Sequence, residues 1–111
     1  MPSKYIMAID QGTTGTTVSL MDAGGDLMAQ ADEDFPQIFP RPGWVEHDPE
    51  AIWGTVTRLI PQVMAKAQVG ADQVAAIGIT NQRETVVLWD AQTHKPVMNA
   101  IVWQCRRTAD F

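Results

Sequence analysis

A short apolar run, Tyr5-Ile6-Met7-Ala8-Ile9, ends on Asp10 and passes directly into Gln11-Gly12-Thr13-Thr14-Gly15, a turn of glycine and hydroxyl side chains. The pattern beyond the turn is again that of a strand. Thr16 to Met21 is rich in β-branched residues, and Val18 and Leu20 alternate with polar neighbours. A second strand entered through so tight a turn must fold back on the first. Asp22-Ala23-Gly24-Gly25-Asp26 makes another turn, and Leu27 to Phe35 reads as a weaker third strand. Together they predict an antiparallel meander of three strands.

The rest of the chain changes period. Pro36 to Gly43 holds three prolines and a glycine, as expected of an extended surface connection. Asp48 can cap a helix, Pro49 suits its first position, and Glu50 complements its dipole. Ile52, Trp53, Val56, Leu59, Ile60, Val63, Met64 and Ala67 then form an apolar stripe facing a core. Pro61 lies inside this pattern and should kink the helix near Thr57 or split it. Gly70 should end it. Val74 to Thr80 reads as a second buried strand. Reaching it through a helix makes a crossover, so it should pair parallel with the first strand. Val86–Trp89 and Val97–Val102 flank a turn from Asp90 to Pro96, the pattern of a hairpin. Thr108-Ala109-Asp110-Phe111 resembles the start of a helix, and the sequence stops there without a cap, as a fragment would.

Composition narrows the function classes. The chain of 111 residues allows one domain at most, and its net charge is −5. An acidic balance argues against nucleic acid or an anionic membrane as partner. Residues 1–55 carry two bases against nine acids, whereas residues 56–111 carry six against four. The single cysteine, Cys105, excludes an internal disulfide framework. No apolar run is long enough to span a bilayer, and Asp10 interrupts any signal-peptide core, so a cytoplasmic protein is expected.

Three constellations could carry chemistry. In the first, Asp10 is followed by Gly12, Thr13, Thr14 and Gly15. Glycines let backbone N–H groups approach a phosphate, threonine hydroxyls add donors, and a carboxylate can hold Mg²⁺ through water. No Gly-Lys-Ser/Thr follows, so this is not a Walker A loop, and a strand follows in place of the helix of a dinucleotide fingerprint. A plain hairpin turn accounts for the same residues equally well. The second constellation is Thr80-Asn81-Gln82-Arg83-Glu84-Thr85, at the end of the crossover strand, where open α/β sheets bind ligands. Arg83 and Glu84 match vicinal hydroxyls as donor fork and acceptor. A surface ion pair in a hairpin connection explains them no less readily. The third is Trp103-Gln104-Cys105-Arg106-Arg107. Trp103 could wall a ligand's carbon face or belong to the core. Arg106 and Arg107 read as solvated or paired with acids, and Cys105 as buried and inert. His47 and His94 lack metal-ligand spacing and read as structural.

Four stretches taken together are more specific: Asp10-Gln11-Gly12-Thr13-Thr14, Gly43-Trp44-Val45-Glu46-His47-Asp48-Pro49, Gly78-Ile79-Thr80-Asn81-Gln82-Arg83-Glu84-Thr85, and Asn99 to Thr108. With them the chain, from about Lys4 to its last residue, resembles the N-terminal part of the FGGY carbohydrate kinases, at their glycerol-phosphorylating branch. The Asp-Gly-Thr loop is common to the wider actin-like ATPase superfamily. The stretches around Arg83-Glu84 and Trp103 separate that branch from xylulose- and gluconate-phosphorylating relatives.

The resemblance implies an incomplete ribonuclease-H-like α/β domain spanning residues 1–111: meander, crossover helix, parallel strand and hairpin. It implies that Asp10 stands beside the metal, and that Gly12, Thr13, Thr14 and Gly15 form the first phosphate loop. Arg83 and Glu84 would bind glycerol hydroxyls while Trp103 packs on the carbon chain. The implied reaction transfers phosphate from ATP, with Mg²⁺, to a terminal hydroxyl of glycerol. The base, an aspartate, is implied beyond Phe111, so the chain alone should be inactive; the full-length protein is separately expected to be a homo-oligomer. Three positions depart from the family pattern. The loop usually continues Ser-Ser-Arg, but here reads Gly15-Thr16-Thr17, so a phosphate-reaching arginine is missing. His94 replaces a turn glycine, and Pro61 interrupts a helix that is normally continuous. A related FGGY sugar kinase, or a non-catalytic binding domain of the same fold, is the alternative.

Overall fold

The computed structural model describes residues 4–109. Strands β1 (Tyr5–Gln11), β2 (Gly15–Asp22) and β3 (Leu27–Asp34) form the antiparallel meander. The turn after β2 is closed by Asp22, whose Oδ1 accepts from the N–H groups of Gly24 and Asp26, with Gly25 at φ +88°. After a long connection, the two-residue β4 (Glu46–His47) leads into α1 (Pro49–Ala67), and β5 (Val74–Asn81) pairs parallel with β1. The sheet order is β3-β2-β1-β5, as the crossover argument requires.

Helix α1 begins as its sequence dictates, with Asp48 Oδ1 accepting from the Glu50 N–H and Pro49 in the first turn. It is not split at Pro61. That residue and Thr57 both lie on the solvent face, where water can take the carbonyl that proline leaves unbonded. The helix also stops earlier than Gly70. Gln68 adopts a left-handed conformation (φ 57°), its N–H bonds the Ala65 carbonyl, and the Val69 N–H bonds that of Met64. This turn sends Val69 into the core. Burying a valine is worth about 1.5–3 kcal/mol, enough to offset the ~1–2 kcal/mol cost of a non-glycine residue there. Gly70 instead precedes a short 3₁₀ turn, Ala71–Gln73.

One core holds the layers together. Met7 and Ile9 of β1, Val18 and Leu20 of β2, and Ala31 of β3 pack against Val56, Leu59 and Val63 of α1. Trp53, expected in the apolar stripe, is exposed. β5 departs from expectation as well: it pairs as predicted, but it is not buried, and Ile79 is 72% exposed. The reason is reach. α1 packs over β2 and β3, and β5 lies at the opposite edge of the sheet.

The hairpin is reduced to two bridges, Val86↔Ile101 and Trp89↔Pro96. Its turn is tied by Asp90 Oδ1, which accepts from the N–H groups of Gln92 and Thr93, and His94 takes the positive φ (60°) that its place required. Only β6 (Ala100–Ile101) is a regular strand, because it pairs antiparallel with β4, a partnership the sequence did not suggest. The proline-rich connection is likewise not wholly superficial: Gln37 and Ile38 are half-buried and Ile38 bridges to Glu46, while Phe35, expected to end the third strand, follows β3 and is buried. Of the helix expected to start at Thr108, Asp110 and Phe111 lie outside the described residues, and Thr108 and Ala109 form a turn. No described helix is long and apolar enough to cross a membrane.

Candidate functional site

The parallel pairing of β1 with β5 places the segments that follow them, Gly12–Gly15 and Gln82–Thr85, at the same end of the sheet. The strands stay in register to their last residues, Asp10↔Thr80 and Gln11↔Asn81. This is the carboxyl end of the parallel pair, the usual ligand side of such sheets.

The Gly12–Gly15 loop is a closed turn: the Gly12 N–H donates to the Gly15 carbonyl at 2.9 Å. Glycine at position 15 lets β3 approach the loop closely, since a Cβ there would lie 2.6 Å from Asp34 Oδ1 and 2.7 Å from the Glu33 carbonyl and would force β3 to shift. Gly12 has more room; a Cβ would be 3.4 Å from the nearest atom. The exit from the loop is pinned to α1 by two buried hydroxyls. Thr55 Oγ1 donates to the Ile52 carbonyl at 2.6 Å, so it accepts from Thr16 Oγ1, also at 2.6 Å. Thr13 is half-buried and Thr14 exposed.

Asp10 is exposed near the end of β1, opposite Thr17 on β2 and Thr80 on β5. Directly paired residues project to one face of a sheet, so all three side chains share the face that α1 leaves open. No group of three or more metal-binding side chains occurs among the described residues. A lone exposed carboxylate fits Mg²⁺, which keeps several waters and takes one or two carboxylates with phosphate oxygens.

Arg83 and Glu84 follow β5 on an exposed bend. The ion pairs among the described residues are Arg58–Glu33 and Arg107–Glu46, so Arg83 and Glu84 do not form the surface pair that was one reading of them. Glu84 sits at φ 55°, a conformation that costs of order 1–3 kcal/mol for a non-glycine residue. Trp103, two residues beyond β6, is 55% exposed and is not a core residue.

The segment carrying Trp103 is braced against β4. Glu46 Oε2 accepts from Arg107 Nη2 at 2.6 Å, and Asn99 Nδ2 donates to Glu46 Oε1 at 3.2 Å. The Arg107 bond holds the Glu46 carboxyl below its ordinary value; burial opposes this and Asn99 assists it. The Arg107 guanidinium also stacks over Trp44 at 3.9 Å and donates to Cys105 Sγ at 3.0 Å. Desolvation raises the Cys105 pKa, but the hydrogen bonds of Arg107 and Val45 outweigh it and the thiol ends below its ordinary value. Cys105 is half-buried.

A set of residues that sequence reasoning passed over joins the two loops. His47 is fully buried, with its ring edge against Phe35. Its Nε2 lies 2.6 Å from Gln37 Oε1, and Gln37 Nε2 donates to the Thr13 carbonyl. Its Nδ1 lies 3.2 Å from Gln82 Nε2, which also donates to Gln11 Oε1. Burial holds the imidazole pKa below its ordinary value. These residues are far apart in sequence and follow no period. Only the Ile38↔Glu46 bridge and the β1–β5 crossover bring them together. A cleft of 190 Å³, lined by Gln11, Asn81, Gln82 and Thr85 among others, opens beside them.

Residues 5–111 match the FGGY family of carbohydrate kinases, N-terminal domain. A glycerol kinase of Escherichia coli is 55% identical over 108 residues, covering 97% of this chain and 22% of that enzyme. The crystal structure of Plasmodium falciparum glycerol kinase with ADP superposes with a TM-score of 0.87 at 35% identity, over 98% of this chain and 22% of that one. The gluconate kinase of Lactobacillus acidophilus superposes as well, with a TM-score of 0.87 at 26% identity, over 97% and 21%. The chain therefore spans about a fifth of the length of the relatives it matches. Equal superposition on glycerol and gluconate kinases also means that the fold does not choose the acceptor.

Proposed function

The chain belongs to the FGGY family of carbohydrate kinases, and we propose that it supplies the first phosphate loop and part of the acceptor site of an ATP-dependent glycerol kinase. The observation that carries this reading is the parallel β1–β5 pair: the Gly12–Gly15 turn and the Arg83-Glu84 segment, which makes no ion pair among the described residues, follow its two strands at one sheet end. Glycerol is preferred over other polyols because the curated relatives at 54–55% identity are glycerol kinases; Arg83, Glu84 and Trp103 are exposed and so free for contact with a ligand.

The chemistry asked of these residues is positioning and charge stabilisation. Backbone N–H groups of Thr13 to Gly15 approach the phosphates of ATP, with the Thr13 and Thr14 hydroxyls as further donors, while the Gly12 N–H holds the loop closed on the Gly15 carbonyl. Asp10 would hold Mg²⁺ through water; when bound, the ion neutralises phosphate charge. Arg83 donates to one glycerol hydroxyl and Glu84 accepts from another, while the Trp103 indole covers the carbon chain. A terminal hydroxyl is thereby aimed at the γ-phosphate and the product is glycerol 3-phosphate. The base that takes the hydroxyl proton is assigned to no residue of this chain.

A substrate panel tests the reading. The full-length protein with ATP and Mg²⁺ should release ADP with glycerol at a kcat/KM well above that with xylulose or gluconate. Preference for either sugar would move the protein to another branch of the family. Absence of ATP binding would support a non-catalytic domain.

A further inference from the structure

The hydrogen bonds around His47 form one continuous chain with a fixed direction. Gln37 gives its amide N–H to the Thr13 carbonyl at 2.9 Å, so its oxygen faces the ring and must accept from His47 Nε2–H. On the other side, Gln11 gives its amide N–H to the Gly12 carbonyl at 2.7 Å, so its oxygen accepts from Gln82 Nε2 at 3.3 Å. The second hydrogen of that nitrogen points at His47 Nδ1, and Gln82 Oε1 accepts from the Thr85 hydroxyl at 3.2 Å. Both ends are backbone carbonyls, which only accept. The ring is left one neutral tautomer, with hydrogen on Nε2 and a lone pair on Nδ1.

Resting on the reading that Gly12–Gly15 binds phosphate and Gln82–Thr85 belongs to the polyol site, we propose that His47 is a positioning residue. In its neutral Nε2–H form it holds the two segments in one register, and losing the ring or adding a proton to it loosens both. A charged imidazole donates from both nitrogens, so Nδ1–H would meet the Gln82 amide N–H. Gln82 could answer only by turning its amide over, which sets its oxygen against that of Gln11, gives up that bond and leaves the Thr85 hydroxyl to donate to the Arg83 carbonyl alone. The groups facing the ring are neutral: Phe35 and Gln37 from the β3–β4 connection, Gln82 after β5, and Ala100 of β6. The charged neighbours in sequence are engaged elsewhere, Glu46 with Arg107 and Asp48 with the Glu50 N–H. Arg83 and Glu84 beside Gln82 are exposed. Among the described residues no acid pairs with the ring to favour its charged form, and burial disfavours it.

Two variants of the full-length protein test this. His47→Phe keeps the bulk of the ring and its contact with Phe35 but makes no hydrogen bond. Gln37→Leu cuts the chain at the phosphate-loop end and leaves the ring in place. Each should raise the KM for ATP and the KM for glycerol together, by about 5- to 30-fold, because each leaves buried polar groups unpaired. The acid limb of the wild-type kcat/KM profile should be shallower by one proton in His47→Phe, what remains belonging to the base and to ATP. A purely structural role would lower the melting temperature and leave both KM values in place, and that result overturns the proposal. The ¹⁵N spectrum of labelled histidine in the wild-type protein gives an independent readout even if His47→Phe fails to fold. A neutral Nε2–H ring at pH 7 is expected; an Nδ1–H or charged ring contradicts the relay. Lack of glycerol turnover by the wild type counts against the substrate reading alone, and a wrong tautomer in an active enzyme counts against the relay alone.

Discussion

Asp10 and Thr17 stand directly opposite each other across β1 and β2, so their side chains leave the sheet on the same face. Position 17 therefore sits beside the proposed metal carboxylate, at the mouth of the phosphate loop, where an arginine is usual in the family pattern. Thr17→Arg in the full-length protein should tighten ATP binding or raise kcat about ten- to a hundredfold, by adding a charge-assisted phosphate contact of roughly 1.5–3 kcal/mol. ATP titration and initial rates check it. No change in either would mean that residue 17 does not face the phosphates.

The two glycines of the loop should behave differently. Gly15→Ala drives a Cβ into the Glu33 backbone and the Asp34 carboxylate, so it should destabilise the fold by about 1–3 kcal/mol and lower the melting temperature. Gly12→Ala meets only ordinary contact at 3.4 Å and should leave the melting temperature nearly unchanged while weakening ATP binding. Equal melting temperatures for the two variants would show that the Gly15–Asp34 packing is not as tight as described.

The Glu46–Arg107 pair predicts a pH dependence of stability. Its hydrogen bond from Arg107 depresses the folded-state pKa of Glu46 below the ordinary 4.5. A depressed carboxyl contributes stability that is fully present above its unfolded value and is lost as pH falls through the folded one. Glu46→Gln should therefore lower the melting temperature most near neutral pH, and the gap to wild type should close at pH well below 4.5. A gap independent of pH would show that the charge on Glu46 is not what braces the segment.

Much of this was legible in the sequence because local chemistry and global fold agree there. The Gly12–Gly15 turn, the Asp48-Pro49 helix start and the crossover to Val74 each dictate their own geometry. The failures share a different cause. Gln68 ends the helix in place of Gly70 because burying Val69 outweighs a backbone penalty, a tertiary effect without local signature. Val74–Thr80 reads as buried because its composition is that of a covered strand, whereas α1 packs over β2 and β3 and does not reach the β5 edge of the sheet. The proposed site residues Asp10 and Arg83 were visible as polar groups at strand ends, and Gln11 and Gln82 stand beside them in the sequence. That these two glutamines join with Gln37 and His47 was not visible, since it lies in mutual distance alone.

The central claim is that one end of this sheet carries a phosphate loop on β1 and a polyol-reading segment after β5, so each should be separable by kinetics. The most direct measurement is steady-state kinetics of Arg83→Ala in the full-length protein, with glycerol varied at saturating ATP. The account predicts a loss of about ten- to a hundredfold in kcat/KM for glycerol, roughly 1.5–3 kcal/mol, with ATP affinity little changed. Arg83→Lys should recover only part of it, because a point charge cannot reproduce the guanidinium fork. A change of less than about fivefold for both variants, as expected of an exposed group contributing under ~1 kcal/mol, would contradict the assignment of Arg83 to the acceptor site.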